Sequence, residues 1–348
     1  MGDMAGGRTI VLLMSGGVDS TVAALLLRRE GWTVWGLTLR IPGRGQPVET
    51  GESAARIAEA LGIPHRIVEA GDSFRREVVD PFLRAYREGR TPNPCADCNR
   101  SIKFGLLMDA ASRWAEDDSV PVATGHYARI LASASGPLLA RAADRERDQS
   151  YFLCDIDRAR LKRVRFPLGE LTKPQVREIA RGAGLPVAER PDSMEVCFLA
   201  GADYREWVGD AGPGPIRDEE GRLLGRHSGL SRYTPGQRQG LGIAAPHPLY
   251  VLRLDVPHNA LVVGPREAAF RTVVHAARPN LLAPELLEER DGLAGKTRSR
   301  SPLAPCRILS LGGAELSVSF EQPQFAPAPG QRLALYRGEV LAASGVIV

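Results

Sequence analysis

"TIVLLMSGGVDST", Thr9 to Thr21, decides how the chain is read. Ile10 to Met14 are a continuous apolar run, the pattern of a strand buried on both faces, and Ser15-Gly16-Gly17 closes it. Helical spacing then begins: Val18, Val22, Leu25 and Leu26 share one face, and Gly31 stops the helix. A buried strand that enters a helix through Ser-Gly-Gly makes a phosphate cradle. Gly16 and Gly17 let the backbone approach an anion, and the N–H groups opening the helix point at it. Ser15 and Ser20 add hydroxyl donors. A Walker loop would carry a lysine for the terminal phosphates, and this loop has none. Asp19 suits an anion site when Mg²⁺ bridges it to the phosphates.

Working outward, "TVWGLTLR" (33–40) reads as a second strand. Ala54, Ile57, Ala58 and Leu61 mark a second helix, ended by Gly62 before Pro64. "HRIV" (65–68) and "VPVATGHY" (120–127) read as further strands. Strands alternating with helices predict an α/β doubly wound parallel sheet with its ligand at the carboxyl ends of the strands. A later helix opens at "ELTKPQ", with Thr172 as cap, Gln175 completing a capping box and Pro174 in the first turn. Beyond Gly201 glycine and proline become frequent, and from about residue 270 short alternating runs read as all-β. The last of these predicts a hairpin turning at Arg337-Gly338. The expected domains are an α/β domain over 1–200, a small middle module over 201–270 and a C-terminal β-barrel over 271–348. No internal repeat is present.

The chain has 348 residues, enough for more than one core, with 43% hydrophobic and 25% charged residues, as in ordinary globular proteins. No apolar run approaches the ~20 residues of a membrane span. A cytoplasmic monomer with no membrane partner is expected. The net charge of +4 is mild. Only Lys103, Lys162, Lys173 and Lys296 are lysines among 45 basic residues. Two basic clusters, "RARLKRVR" (158–165) and "KTRSR" (296–300), are each weak evidence of nucleic-acid contact, since charge runs are commonly solvated faces.

Cys154 and Cys306 sit among apolar residues and read as core thiols. Cys95 and Cys98 form a CxxC in "GRTPNPCADCNRSIKFG" (89–105), in a loop stiffened by two X-Pro units, and "RPDSMEVCFLAG" supplies Cys197. Structural zinc normally has four ligands, and no second CxxC or His pair is present to complete them. Nucleophilic sulfur chemistry and a three-cysteine iron–sulfur cluster both remain open. Arg100 and Lys103 are candidate cations for lowering a thiol pKa, and equally candidate solvent-facing or phosphate-contacting residues.

S-G-G-x-D-S after a first strand resembles the PP-loop of the ATP pyrophosphatase superfamily. Its members cut ATP between the α- and β-phosphates, adenylate a carbonyl oxygen and release pyrophosphate. Ordered blocks along the chain are similar to the bacterial tRNA-specific 2-thiouridylases. They include "ATGHYAR" (123–129), "DQSYFL" (148–153), "FPLGELTKPQVREIA" (166–180), "DSMEVCF" (192–198), "YTPGQRQGLGI" (233–243) and "PGQRLALYRGEV" (329–340).

The resemblance implies ATP with Mg²⁺ as cofactors. Its substrates would be the tRNAs for Lys, Glu and Gln, thiolated at the wobble uridine. An upstream sulfur carrier or cysteine desulfurase system would supply the sulfur. It implies that Leu13, Met14, Ser15, Gly16, Gly17, Val18, Asp19 and Ser20 form the ATP loop, with Leu39 and Gly125 near adenosine. Cys197 would carry a persulfide, and Cys98 would be the nucleophile that ends in a disulfide with it. Asn93, Pro94 and Cys95 would lie beside the target base, and Arg147, Asp148, Gln149, Arg298 and Ser299 would contact tRNA. Cys95 stands where many relatives carry Asp, which keeps open a 4Fe-4S cluster held by Cys95, Cys98 and Cys197. A second departure is the short "RIPGRGQPVETGES" (40–53), without the acidic, cysteine-bearing insertion of some relatives. The rival readings are another PP-loop ATPase, such as an amidating or lysidine synthetase, and a non-catalytic RNA-binding or sulfur-carrier protein.

Overall fold

The computed structural model describes residues 8–41, 50–191, 196–199, 203–209 and 212–348. Most of the segment after the second strand, Asp192 to Glu195 before Cys197, and the boundary at 200/201 lie outside the described residues. The chain forms two compact units: Met1–Glu77 with Cys95–Ala200 and Glu339–Leu341, and Val78–Pro94 with Gly201–Gly338 and Ala342–Val348.

In the first unit β1 (Thr9–Leu13), α1 (Val18–Arg29), β2 (Thr33–Arg40), α2 (Thr50–Ala60) and β3 (His65–Glu69) follow the alternation expected from sequence. β4 (Val122–Thr124) and β7 (Val164–Arg165) complete a five-stranded parallel sheet ordered β3-β2-β1-β4-β7. Between them run the antiparallel pair β5 (Ala128–Leu131) and β6 (Leu138–Arg141). β1 is central, and Ile10, Val11 and Leu12 are fully buried, which explains its unbroken apolar run. Leu13 lies opposite Leu37 and Thr124, so the turn after β1 emerges between the carboxyl ends of β2 and β4. The strand expected over 120–127 is shorter, because Gly125 and His126 turn out of the sheet.

Residues 71–87 and 94–115 are helical. α3 (Gly71–Phe74) passes through a π-helical turn into α4 (Asp80–Arg87). α5 (Pro94–Cys98) passes through nine π-helical residues, Asn99–Leu107, into α6 (Met108–Ala115). The cysteine segment is therefore a helix start and not the stiffened loop read from its prolines. Pro94 is the first helical residue, where a missing N–H breaks no helical bond. α7 (Lys173–Gly182) packs on α1 and carries the expected box, the Thr172 N–H donating to Gln175 Oε1 at 2.8 Å.

In the second unit α8 (Tyr204–Val208) packs on α4, and Arg87 Nε donates to the Val208 carbonyl at 2.6 Å. β8 (Gly214–Arg217), β9 (Leu223–His227), β10 (Tyr250–Asp255) and β11 (Ala260–Gly264) form a small sheet ordered β10-β11-β8-β9 over Ile216, Tyr233, Val251 and Leu261. β12 (Phe270–Leu281), β13 (Leu293–Lys296), β14 (Ala304–Gly312), β15 (Glu315–Phe325), β16 (Arg332–Arg337) and β17 (Val340–Ile347) close into a barrel through the β12–β17 pairing. Cys306 is buried there and Cys154 is buried in the first unit, both as core thiols. The hairpin turn falls at Gly338, with φ +58°.

Two glycines test this packing. A Cβ on Gly169 would stand 2.1 Å from the Ala128 carbonyl oxygen, whereas one on Gly182 meets nothing within 4 Å. Gly169→Ala should destabilise the protein by about 1–3 kcal/mol in urea unfolding. Gly182→Ala, at the last residue of α7, should be neutral or stabilise by up to about 1 kcal/mol.

Candidate functional site

The loop after β1 is built mostly from its own backbone. Gly16 has φ +74°, and a Cβ there would lie 2.9 Å from the Ala54 nitrogen. Only glycine fits both constraints. Gly17 caps α1 without any side-chain hydrogen bond, and its carbonyl accepts from Thr21 N, Ser20 Oγ and Thr21 Oγ1. Ser15 N–H donates to Ser20 Oγ at 3.3 Å, so the two serines brace the turn and Ser15 stays exposed. A Cβ on Gly17 would meet only Ser15 Oγ, at 3.6 Å, leaving an open concavity at a helix N-terminus. Met14 is buried under it and Leu39 is half-buried near the end of β2. Val18 is a core residue of α1.

Gly125 lies on the first turn of α1, where a Cβ would stand 2.9 Å from both the Asp19 carbonyl carbon and the Ser20 nitrogen. The next two residues carry polar bonds in different directions. Tyr127 Oη donates to Asp19 Oδ1 at 2.9 Å. Lys173 Nζ donates to Asp19 Oδ1 at 2.7 Å and Oδ2 at 2.9 Å. From another side Arg190 Nη1 donates to the Gly16 carbonyl at 3.2 Å and to Ser53 Oγ at 3.0 Å. Loop reading missed Lys173, Tyr127 and Arg190, all remote in sequence. The one signal for Lys173 was its rarity, a lysine in an arginine-rich chain.

His126 serves the cysteine segment. Burial holds its pKa well below the ordinary value, so the ring is neutral. Its Nε2 accepts from Lys103 Nζ at 3.1 Å, which leaves the Nδ1–H to donate to Thr124 Oγ1 at 2.7 Å. Lys103 lies five residues after Cys98, in the π-helical stretch. Residues five apart share a turn in that wider helix, whereas in an α-helix they diverge. Cys95 and Cys197 are exposed and Cys98 is half-buried.

Although Cys95 and Cys197 keep exposed surface, the protein packed around the sulfurs desolvates them and raises the pKa of all three thiols, to about 12 for Cys98, while the Lys103 charge pulls each one down. Cys197 acts electrostatically on both Cys95 and Cys98, so the three belong to one local site. Of the two candidate cations read from the sequence, Lys103 acts on the thiols. Desolvation outweighs Lys103, and Arg100 is exposed and contributes none of the named effects.

Other residues singled out in the sequence have internal partners. Asp148 accepts at Oδ1 from the Ala142 and Ser150 N–H groups, and at Oδ2 from Arg141 Nε and Ser150 Oγ. Gln149 Oε1 accepts from Tyr127 N–H at 2.9 Å, and its own N–H donates to the Tyr127 carbonyl at 2.8 Å. Gln149 thus braces the turn carrying His126 and Tyr127, while Arg147 is exposed. Arg160 and Arg163, in the first basic cluster, donate to Asp109 and to Ser112 and Val120.

In the second unit Asn93 and Pro94 are buried. Arg298 Nη2 donates to the Pro235 and Ala326 carbonyls at 2.6 Å each, and Lys296 Nζ donates to the Ser299 carbonyl at 2.7 Å. Arg300 is the exposed cation of that cluster.

Among the described residues, no three Cys, His, Asp or Glu side chains converge closely enough to hold a metal ion. No step is derived through the 4Fe-4S cluster expected at Cys95, Cys98 and Cys197.

Three family models match the chain in order: the tRNA methyl transferase HUP domain over residues 8–201, the tRNA methyl transferase PRC-barrel domain over 205–265 and the aminomethyltransferase beta-barrel domain over 271–347. The chain is 42% identical over 351 residues to tRNA-specific 2-thiouridylase MnmA 1 of Syntrophus aciditrophicus, covering 98% of this chain and 92% of that protein. It is 41% identical to MnmA of a Synechococcus species, covering 97% and 96%. With MnmA of Heliobacterium modesticaldum the identity is 43%, covering 98% and 92%. By sequence along nearly its whole length, this chain belongs to the tRNA-specific 2-thiouridylase family.

Proposed function

We propose that the chain replaces O2 of the wobble uridine of tRNA for Lys, Glu and Gln by sulfur, using ATP. The observation that carries this reading is one turn, Gly125 to Tyr127, that borders both the nucleotide cradle and the cysteine site. The amide-like O2 is a poor leaving group, so it attacks the α-phosphorus of ATP and pyrophosphate leaves. The Ser15–Ser20 loop receives the phosphates on the N-terminus of α1. Mg²⁺ carried with the nucleotide would be held by Asp19 and phosphate oxygens, neutralising charge on the leaving group. The base lies beside Asn93, Pro94 and Cys95, and exposed Arg147 and Arg300 meet tRNA phosphates.

Sulfur arrives from an upstream carrier as a persulfide on Cys197. Its terminal sulfur attacks C2, and AMP departs with the oxygen. Cys98, as thiolate, then attacks the Cys197 sulfur. The S–S bond breaks toward the base, leaving 2-thiouridine and a Cys98–Cys197 disulfide, which an external thiol reduces to reset the enzyme. The lifted thiol pKa values suit the resting state, since protonated thiols are protected from oxidation until the substrate arrives. Lys103, oriented by neutral His126, favours the thiolate when it is needed. The relatives' names favour thiolation over the methyl transfer named in the family-model descriptions.

Cys98→Ser and Cys197→Ser should each abolish 2-thiouridine formation, read by nucleoside mass spectrometry, while tRNA adenylation continues. Thiolation surviving either change would sink the relay. In the free enzyme, iodoacetamide should modify Cys98 slowly at neutral pH and faster as pH rises toward about 12. Lys103→Met should slow it further, because the ammonium is the stabilising charge. Rapid alkylation of Cys98 at pH 7, unaffected by Lys103→Met, would contradict this balance.

A further inference from the structure

The relay proposed above uses the Cys98 and Cys197 thiols and leaves the third thiol of the site, Cys95, without a chemical part. Cys95 and Cys98 are three residues apart in α5, so their side chains lie on one face of a single helical turn. Cys95 is exposed and Cys98 is half-buried. An outer and an inner cysteine at this spacing, at the start of a helix, are arranged as a dithiol that opens and closes as a disulfide. Cys95 is the second residue of α5, where backbone N–H groups have no partner one turn back, so it can shift to meet Cys98. Cys98 feels the charge of both Cys95 and Cys197, and is the sulfur that those two can share.

The three sulfurs are not equal as leaving groups. The Cys197 sulfur accepts hydrogen bonds from its own backbone N–H and that of Phe198, and also feels the Lys103 charge. Of the effects on Cys95 and on Cys98, only the Lys103 charge favours the thiolate. A thiol that attacks a Cys98–Cys197 disulfide therefore expels Cys197 more readily than Cys98. The attack then falls on the Cys98 sulfur, and Cys95 stands on the same helical turn to make it.

We propose that Cys95 is the resolving thiol of the enzyme: it attacks Cys98 in the Cys98–Cys197 disulfide, forms a Cys95–Cys98 disulfide and frees Cys197. Cys95 gives up its proton, the new S–S bond forms as the old one breaks, and a proton returns to the Cys197 thiolate. The exchange involves no net oxidation. An external dithiol then reduces the Cys95–Cys98 bond through the exposed Cys95 sulfur. Cys197 is thus free to receive the next sulfur before any reductant has acted. This role rests on the relay above and deepens it by naming the path of reset. The rival is that Cys95 only borders the target base, and that an external thiol reduces Cys98–Cys197 directly.

A single turnover of the full-length enzyme decides between them. The enzyme receives one equivalent of sulfur from a cysteine desulfurase, then ATP and tRNA for Glu, with no reductant. Samples are quenched in acid at intervals and alkylated, and the disulfides are mapped by mass spectrometry. Cys98–Cys197 should appear first and give way to Cys95–Cys98, as Cys197 becomes free to alkylate. In Cys95→Ser the Cys98–Cys197 disulfide should persist. The wild-type time course carries the test alone, so it holds even where the serine variant does not turn over. A wild-type enzyme in which Cys98–Cys197 persists and Cys95 stays fully alkylatable would overturn the proposal and leave the relay standing. Formation of 2-thiouridine with no disulfide at any of these cysteines would overturn the relay itself, and the role of Cys95 with it.

Discussion

The site depends on a backbone touching a backbone. Gly125 approaches the first turn of α1 so closely that a single methyl group would lie 2.9 Å from Asp19 and Ser20. That contact fixes the Gly125–Tyr127 turn against the cradle, and the two following side chains diverge from it. Tyr127 goes to Asp19 and the nucleotide loop. His126 goes to Lys103 and the cysteines. In the proposed chemistry, activation of the base and delivery of sulfur are separate reactions, and adjacent residues brace the two places assigned to them. Gln149 supports the turn through its bonds to the Tyr127 backbone, and Asp148 holds the neighbouring Ala142 and Ser150 backbone.

At the cysteines two opposing effects act on the same thiols. Desolvation disfavours the thiolate, and the Lys103 ammonium favours it. Desolvation wins in the free enzyme. Lys103 can hold its place because the neutral imidazole of His126 accepts its proton donor without neutralising it, which a carboxylate would do. The π-helical stretch makes this possible, since it folds Lys103 back toward Cys98 within one turn. Long π-helices are rare, and this one lies where charge and nucleophile must meet.

Much of the fold was legible because local patterns and burial agreed. The apolar run of β1 is buried because β1 is the central strand, and Gly16 is required by its positive φ. The face of α1 was less legible. Leu27 is buried where Leu25 and Leu26 are only partly so, because α1 packs on both the sheet and α7 and buries more than one stripe. The cysteine segment was misread as a loop since Pro92 and Pro94 look like breakers, although Pro94 marks a helix start. Lys173 could not be found by spacing, as 154 positions separate it from Asp19. Arg298 reads as a tRNA-facing cation, yet its guanidinium spans two carbonyls within the second unit, a packing partner no charge pattern reveals.

The central claim is that the cradle activates a tRNA base by releasing pyrophosphate, before and independently of sulfur. The most direct measurement supplies the full-length enzyme with ATP labelled at the α-phosphate and with tRNA for Lys, Glu or Gln, withholds any sulfur donor, and follows products in time. Pyrophosphate should appear only when the tRNA is present, with the label recovered as AMP or on the tRNA and none as ADP. Formation of ADP and orthophosphate, or pyrophosphate release at the same rate without tRNA, would contradict it.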